Sequence, residues 1–185
     1  LGAEVSLRVG LVAVGISLFA GTVIGLIAGY YGRWLDDSLM RAMDVLFAFP
    51  AILLAIVVLA VLGPGVTNAM IAIGIVYTPI FARIARASVL SVREEIYVRA
   101  ARASGAGDVR ILLRHVLPNI TAPLIVQTSL SLAFAILSEA ALSFLGVGAG
   151  PNQVSWGAML EEARQNLYTT PVLVIAPGVT ITLCV

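Results

Sequence analysis

Lysine is absent from this 185-residue chain: all eleven basic side chains are arginine, and histidine and cysteine occur once each. Without lysine, the phosphate-binding pattern Gly-x-x-x-x-Gly-Lys-Ser/Thr cannot be built. The single cysteine, Cys184, lies in the last apolar stretch and excludes an internal disulfide framework or a multi-cysteine metal site. His115 alone makes no metal site, and its place after Arg114 suits a membrane interface. No catalytic residue and no cofactor is expected. Charge is scarce as well, at 11% of residues, where a soluble domain carries about a quarter. Apolar residues take its place: 60% of the chain is hydrophobic and the mean hydropathy is +1.04.

A bilayer core of about 30 Å needs about 20 apolar residues in helical form. Val9 to Gly32 meets this and ends in the interfacial pair Tyr30-Tyr31. Val45 to Ala82 is uncharged over 38 residues, enough for two spans, with Gly63-Pro64-Gly65 and Asn68 forming the turn between them. A fourth span is expected from about Ile120 to Leu145, interrupted by Glu139, and a fifth from near Pro171 to the end. The fold class is therefore an all-α, polytopic transmembrane bundle with five spans. Helices of a soluble all-α core would show one polar face, and these show almost none. The chain starts at Leu rather than Met and stops inside an apolar run, so a fragment lacking both ends is expected.

Arginine placement sets the expected orientation, because cytoplasmic loops near spans retain positive charge. Arg33, Arg41, Arg83, Arg86, Arg93, Arg99, Arg102, Arg110 and Arg114 fall on one side, whereas Arg8 and Arg164 fall on the other. The first residue is thus expected outside and the last in the cytoplasm, with the 63–65 turn and Gly146 to Thr170 external.

Between Arg83 and Pro118 charges alternate with Ile, Val, Leu and Ala, so this cytoplasmic segment should fold. Glu94 to Ala103 suits a short helix, with Glu95 four positions before Arg99 in the favourable order for an ion pair. Gly105 and Gly107 interrupt it. Asp108 is placed to cap a second helix, Val109 to Leu117, which Pro118 ends. The small side chains of Ala100, Ala101 and Ala103 beside Gly105 offer a surface that another backbone can approach. Against this stands a plainer reading in which the arginines enforce topology and meet lipid headgroups, and the alanines merely favour helix. Only Tyr97 among aromatics is interleaved with the arginines, so nucleic acid is not an expected partner.

The run Tyr97-Val98-Arg99-Ala100-Ala101-Arg102-Ala103-Ser104-Gly105, followed by Arg114-His115-Val116-Leu117-Pro118-Asn119, resembles the EAA loop of binding-protein-dependent ABC importer permeases. Ala100, Ala101, Gly105, Leu117 and Pro118 match that pattern in register, while Arg99 replaces its Glu and His115 its Ile. Ala28-Gly29-Tyr30-Tyr31-Gly32, Phe47-Ala48-Phe49-Pro50, Leu142-Ser143-Phe144-Leu145-Gly146, Ser155-Trp156-Gly157 and Met159-Leu160 are similar to the dipeptide, oligopeptide and nickel permease subfamily, second-subunit type. The resemblance implies one transmembrane domain over 1–185 with an EAA-type loop at 91–118, in a full chain of six spans in the prokaryotic plasma membrane. It further implies a coupling surface for a cytoplasmic ATPase made by Arg99, Ala100, Ala101, Arg102, Ala103, Ser104, Gly105, Ala106, Gly107, Asp108, Leu117 and Pro118. The partners it implies are a second permease subunit, two ATPase subunits and an extracytoplasmic binding protein, besides membrane lipid. Di- or oligopeptides are the implied cargo, with nickel or another small solute as alternative. A secondary transporter or channel would instead need intramembrane ion-coupling residues.

Three further features carry open alternatives. Glu139 either lines a translocation path or sits near the outer interface, protonated or hydrogen-bonded to Ser138 and Ser143. Gln127, with Ser129 and Ser131, either faces that path or serves helix packing. The stretch Ser155 to Leu167, capped by Ser155, reads as an amphipathic helix on the outer face, either anchored in lipid by Trp156 or meeting the binding protein.

Overall fold

The computed structural model describes residues 2–148, 154–166 and 172–185. Helix dominates and no strand occurs among the described residues. The first apolar run forms α1, Gly2–Tyr31, which starts before Val9 and carries Glu4 and Arg8 within it. Gly32 and Arg33, both at positive φ (64° and 54°), end it. The next segment, expected as a loop, is a second helix, α2, Arg33–Phe47. Pro50 then caps α3, Ala51–Leu62, and Gly63 (φ 87°) closes it. Asn68 Nδ2 donates to the carbonyls of Leu62 (2.8 Å) and Gly63 (3.0 Å), so the expected turn is held by the residue that follows it. From there α4, Val66–Val92, runs through Arg83 and Arg86 rather than ending at Ala82.

Short elements follow: α5, Ile96–Ala103, and α6, Asp108–Ile111. A π turn at Leu112–Val116 and a 3-10 turn at Leu117–Ile120 lead into α7, Thr121–Phe144. Pro118 was expected to end a helix; instead Asp108–Phe144 is one 37-residue helical run. The widened and tightened turns take up the amide that proline lacks. The chain closes with α8, Trp156–Gln165, and α9, Val172–Cys184.

Among the described residues, three helices are long and apolar enough to cross a membrane: Gly2–Tyr31, Val66–Val92 and Asp108–Phe144. The pair α2 and α3 adds a fourth only as one broken span, and α9 is an apolar helix of 13 residues. All five expected apolar segments are helical, but two are shorter than a full crossing. Large exposed apolar side chains such as Leu11, Phe19, Val61, Val126 and Leu183 suit lipid and would be a liability in water.

Two compact units divide the chain, Leu1–Ile16 with Phe49–Tyr77 and Leu130–Val185, and Ser17–Ala48 with Thr78–Ser129. In the first unit Ile136, Ala140, Trp156 and Ile181 form a buried cluster with Ala3, Leu132 and Leu160 packed on it. Trp156 is 5% exposed. It fills the protein interior, so lipid anchoring by Trp156 is replaced by packing of α8 onto α7. Gly157 permits that packing, because a Cβ there would fall 2.3 Å from the Ala140 carbonyl oxygen. The Ser155 hydroxyl accepts the Ala158 amide, as a cap should. Leu167 and Pro171 lie outside the described residues.

In the second unit α1 and α4 meet backbone to backbone. A Cβ on Gly21 would lie 2.5 Å from Phe81 Cβ, on Gly25 2.5 Å from the Ala82 carbonyl oxygen, and on Gly29 2.8 Å from Val89 Cβ. Three glycines at intervals of four line one face of α1, and the helices approach because no side chain intervenes. Phe81, Ala82, Ala85 and Val89 are fully buried as a result.

Candidate functional site

Arg83, Arg86 and Arg93, three of the seven arginines expected in one loop, are engaged inside the second unit. Arg86 forms a two-pronged pair with the Asp36 carboxylate, Nη2 to Oδ2 at 2.6 Å. Arg83 meets Asp44 at 2.6 Å and stacks 4.1 Å from the Phe47 ring. Both fasten α2 to α4. Arg93 donates to the Gly29 carbonyl at 2.7 Å and pairs with Glu94. The plainer reading, topology and lipid contact alone, does not hold for these three. Arg99, Arg110 and Arg114 are exposed and make no ion pair among the described residues.

The short helix α5 forms where alanine and arginine dominate. Glu95 is its N-cap, and its carbonyl accepts the amides of Val98 and Arg99 at 3.1 Å each. The expected Glu95 to Arg99 ion pair is therefore replaced by a backbone contact between the same residues. Val98 is fully buried and roots the helix, whereas Arg99, Ala100, Ala103 and Ser104 are exposed. Ala101 is half-buried.

At its end the Gly105 amide donates to the Arg102 carbonyl (3.0 Å) and the Ala106 amide to the Ala101 carbonyl (3.1 Å). That pair of bonds is the Schellman motif, which needs a residue in the left-handed region. Gly105, at φ 83°, supplies it. Nothing stands within 4 Å of where a Cβ on Gly105 or Gly107 would project, so both face open space. The same motif ends α7, where Gly146 at φ 78° donates to the Ser143 carbonyl and Val147 to Leu142.

Gly107, not Asp108, is the N-cap of α6. The Asp108 carboxylate is drawn away from the helix end because it accepts the Tyr30 hydroxyl at 2.7 Å. The Arg102 guanidinium lies 5.3 Å from the centre of the Tyr30 ring. Its pKa is raised, first by hydrogen bonding to the Tyr30 hydroxyl and further by the nearby carboxylates of Asp108 and Glu94. The structure thus gathers residues 99–108 into one helix and turn. Leu117 and Pro118 stand apart in the 3-10 turn before α7, and His115 is half-buried in the π turn.

Glu139 is 1% exposed and accepts hydroxyls from Ser6 (2.8 Å) and Ser143 (2.7 Å). Ser6 in turn accepts the Trp156 amide at 3.3 Å. Of the two partners expected for Glu139, Ser143 is present; Ser138 bonds to the Tyr77 hydroxyl instead. Gln127 is half-buried on α7 and has a partner. The Tyr30 to Asp108 hydrogen bond leaves no mark in the sequence and the Asp36 to Arg86 pair none beyond complementary charge, whereas the spacing of Gly21, Gly25 and Gly29 is a legible signal.

The family described as binding-protein-dependent transport system inner membrane component matches residues 21–185. The dipeptide transport system permease protein DppC of Alkalihalophilus pseudofirmus is 50% identical over 184 residues, covering 100% of this chain and 60% of the relative. The glutathione transport system permease protein GsiD of Pectobacterium atrosepticum is 43% identical over 185 residues, covering 100% and 62%. The chain therefore spans about six tenths of the length of these relatives. Among solved structures, a chain of the MetNI methionine ABC transporter in an inward-facing conformation matches with TM-score 0.75 at 18% identity, covering 99% of this chain and 89% of that one. That likeness bears on the fold. With the family match extending over most of its length, this chain belongs to the inner membrane components of binding-protein-dependent transport systems.

Proposed function

We propose that this chain is the membrane-spanning permease subunit of an ATP-driven importer of dipeptides or oligopeptides, and that it hydrolyses nothing itself. Peptide cargo is favoured by the 50% identity to a dipeptide permease over essentially the whole chain. Nickel or another small solute is the alternative cargo. A secondary transporter or channel is disfavoured by Glu139, the one acid within α7, being sealed among Ser6 and Ser143.

The observation that carries the coupling role is the exposed face of α5 and its turn: Arg99, Ala100 and Ala103 beside Gly105, with open space in front. Small side chains there let a partner's surface reach the helix backbone. We assign residues 99–108 to contact with a cytoplasmic ATPase subunit, with Leu117 and Pro118 as the rigid exit toward α7. Two such ATPases, a second permease subunit and an extracytoplasmic binding protein complete the assembly. The chain is a single transmembrane domain over 1–185 whose loop 91–118 faces the cytoplasm, as do its last residues.

The full-length protein carrying Gly105→Trp or Ala100→Trp tests this. Ala100→Trp blocks the face without disturbing a positive φ, and Gly105→Ala controls for backbone strain. Both tryptophan variants should insert normally yet lose co-purification with the cognate ATPases and ATP-dependent uptake. Retained ATPase binding in both would refute the docking assignment. Which peptides the cognate binding protein retains decides the cargo.

A further inference from the structure

Resting on the coupling role proposed above, we infer that the end of α1 at Gly29 and Tyr30 is the anchor that receives the coupling helix, with Tyr30, Arg93 and Asp108 as positioning residues.

Covalent continuity would pass a displacement of α5 only to its chain neighbours, α4 on one side and the run into α7 on the other. The side chains add a third route. Before α5, the Arg93 guanidinium donates to the Gly29 carbonyl. After α5, Asp108 accepts the Tyr30 hydroxyl. Between them, Arg102 on α5 itself lies over the Tyr30 ring. The segment from 94 to 107 is thus fastened at both flanks, and at its last turn, to two consecutive residues of one distant helix.

Each contact has a physical reason to be firm. Arg33 leaves the helical region at φ 54°, so the last carbonyls of α1 lack their usual partners, and Arg93 brings a cation to that negative end. Tyr30 is 8% exposed, so its hydroxyl needs a partner, and the carboxylate oxygen of Asp108 accepts it. Gly29 lies so close to Val89 that α1 has no slack against α4 at this level. Asp108 is best explained by this link, since it sits in the first turn of α6 and makes no cap there. A pull on α5 therefore reaches α1 directly, and Gly105 is the point where the loop can flex between its two fastenings.

The test uses the full-length importer with its ATPases and binding protein in proteoliposomes, reading uptake per ATP hydrolysed. Tyr30→Phe removes the hydroxyl but keeps the ring under Arg102. Asp108→Ala removes the acceptor, and Asp108→Asn restores an acceptor oxygen. Losing a hydrogen bond to a charged group shifts a local equilibrium about tenfold or more, so Tyr30→Phe and Asp108→Ala should each lower uptake per ATP several-fold, while Asp108→Asn recovers most of it. The double variant should be no worse than the worse single one, as members of one link behave. Co-purification with the ATPases should stay intact in Tyr30→Phe, because Tyr30 lies outside the 99–108 docking segment. A merely structural role would instead lower the thermal midpoint and leave the ratio unchanged. Normal uptake per ATP in Tyr30→Phe and Asp108→Ala, or additive losses in the double variant, overturns the anchor. If Ala100→Trp and Gly105→Trp still abolish ATPase binding in that event, the docking surface stands and only the anchor falls.

Discussion

Gly25→Ala is the smallest change that tests the α1 and α4 contact. Its methyl would sit 2.5 Å from the Ala82 carbonyl oxygen, 2.5 Å from Ala85 Cβ and 2.8 Å from the Arg86 amide nitrogen. Non-bonded heavy atoms settle near 3.5–4.0 Å, so the two backbones must part by about 1 Å. No flexible side chain can yield, since two of the three atoms are main chain. Overpacking of this kind costs about 1–3 kcal/mol, against which alanine gains about 1 kcal/mol in helix propensity over glycine. Gly15→Ala separates the two contributions: it lies in the same helix, gains the same propensity, and has nothing within 4 Å of its Cβ position. The difference between the variants is then the packing cost alone. For a chain of this size about 1 kcal/mol moves the thermal midpoint by about 2–4 °C. Thermal unfolding of the full-length protein in mild detergent should place Gly25→Ala several degrees below Gly15→Ala. Equal midpoints, or Gly25→Ala the higher, would refute the glycine contact.

Two further outcomes follow from buried polar groups. Glu139→Ala removes the acceptor that the Ser6 and Ser143 hydroxyls share and should destabilise by about 1–3 kcal/mol in chemical unfolding, whereas Glu139→Gln, which keeps the shape and one of the two acceptor oxygens, should lose less; equal losses would mean the carboxylate only fills space. Asp36→Asn should weaken the join between α2 and α4, and solvent at the 35% exposed Arg86 side chain limits that cost to about 1 kcal/mol. The exchanged pair Asp36→Arg with Arg86→Asp should regain part of it, and no recovery in protease resistance of α2 would count against the ion pair.

Hydrophobic length made α1, α4 and α7 legible, and glycine with asparagine marked the turn at 63–65, because both signals are local. Charge was the poorer guide. Charge alone places the end of a span at Arg83 and Arg86, yet their helix continues to Val92, since Asp44 and Asp36 meet the guanidinium groups. Those acids lie 39 and 50 residues away, and no spacing rule reaches so far. α2 was missed for the same reason, its charges suggesting a loop when its partners were out of view. In the segment from 94 to 108 the helix and its glycine end are readable from composition. Sequence position makes Asp108 a cap, but its partner is Tyr30, 78 residues away. Trp156 suggested an interface by residue type, and only the nearness of Ile136 and Ile181 shows that protein, not lipid, covers it.

The shortness of α3 has a consequence for the bilayer itself. Its 12 residues extend about 18 Å, and hydrocarbon is about 30 Å thick. The shortfall must be met by neighbouring chain or by lipid drawn thin around it, and thinning costs fractions of a kcal/mol for each ångström of mismatch. Acyl-chain length is thereby expected to shift this protein's thermal midpoint, and a midpoint unchanged between short-tailed and long-tailed membranes would mean that neighbouring chain meets the shortfall.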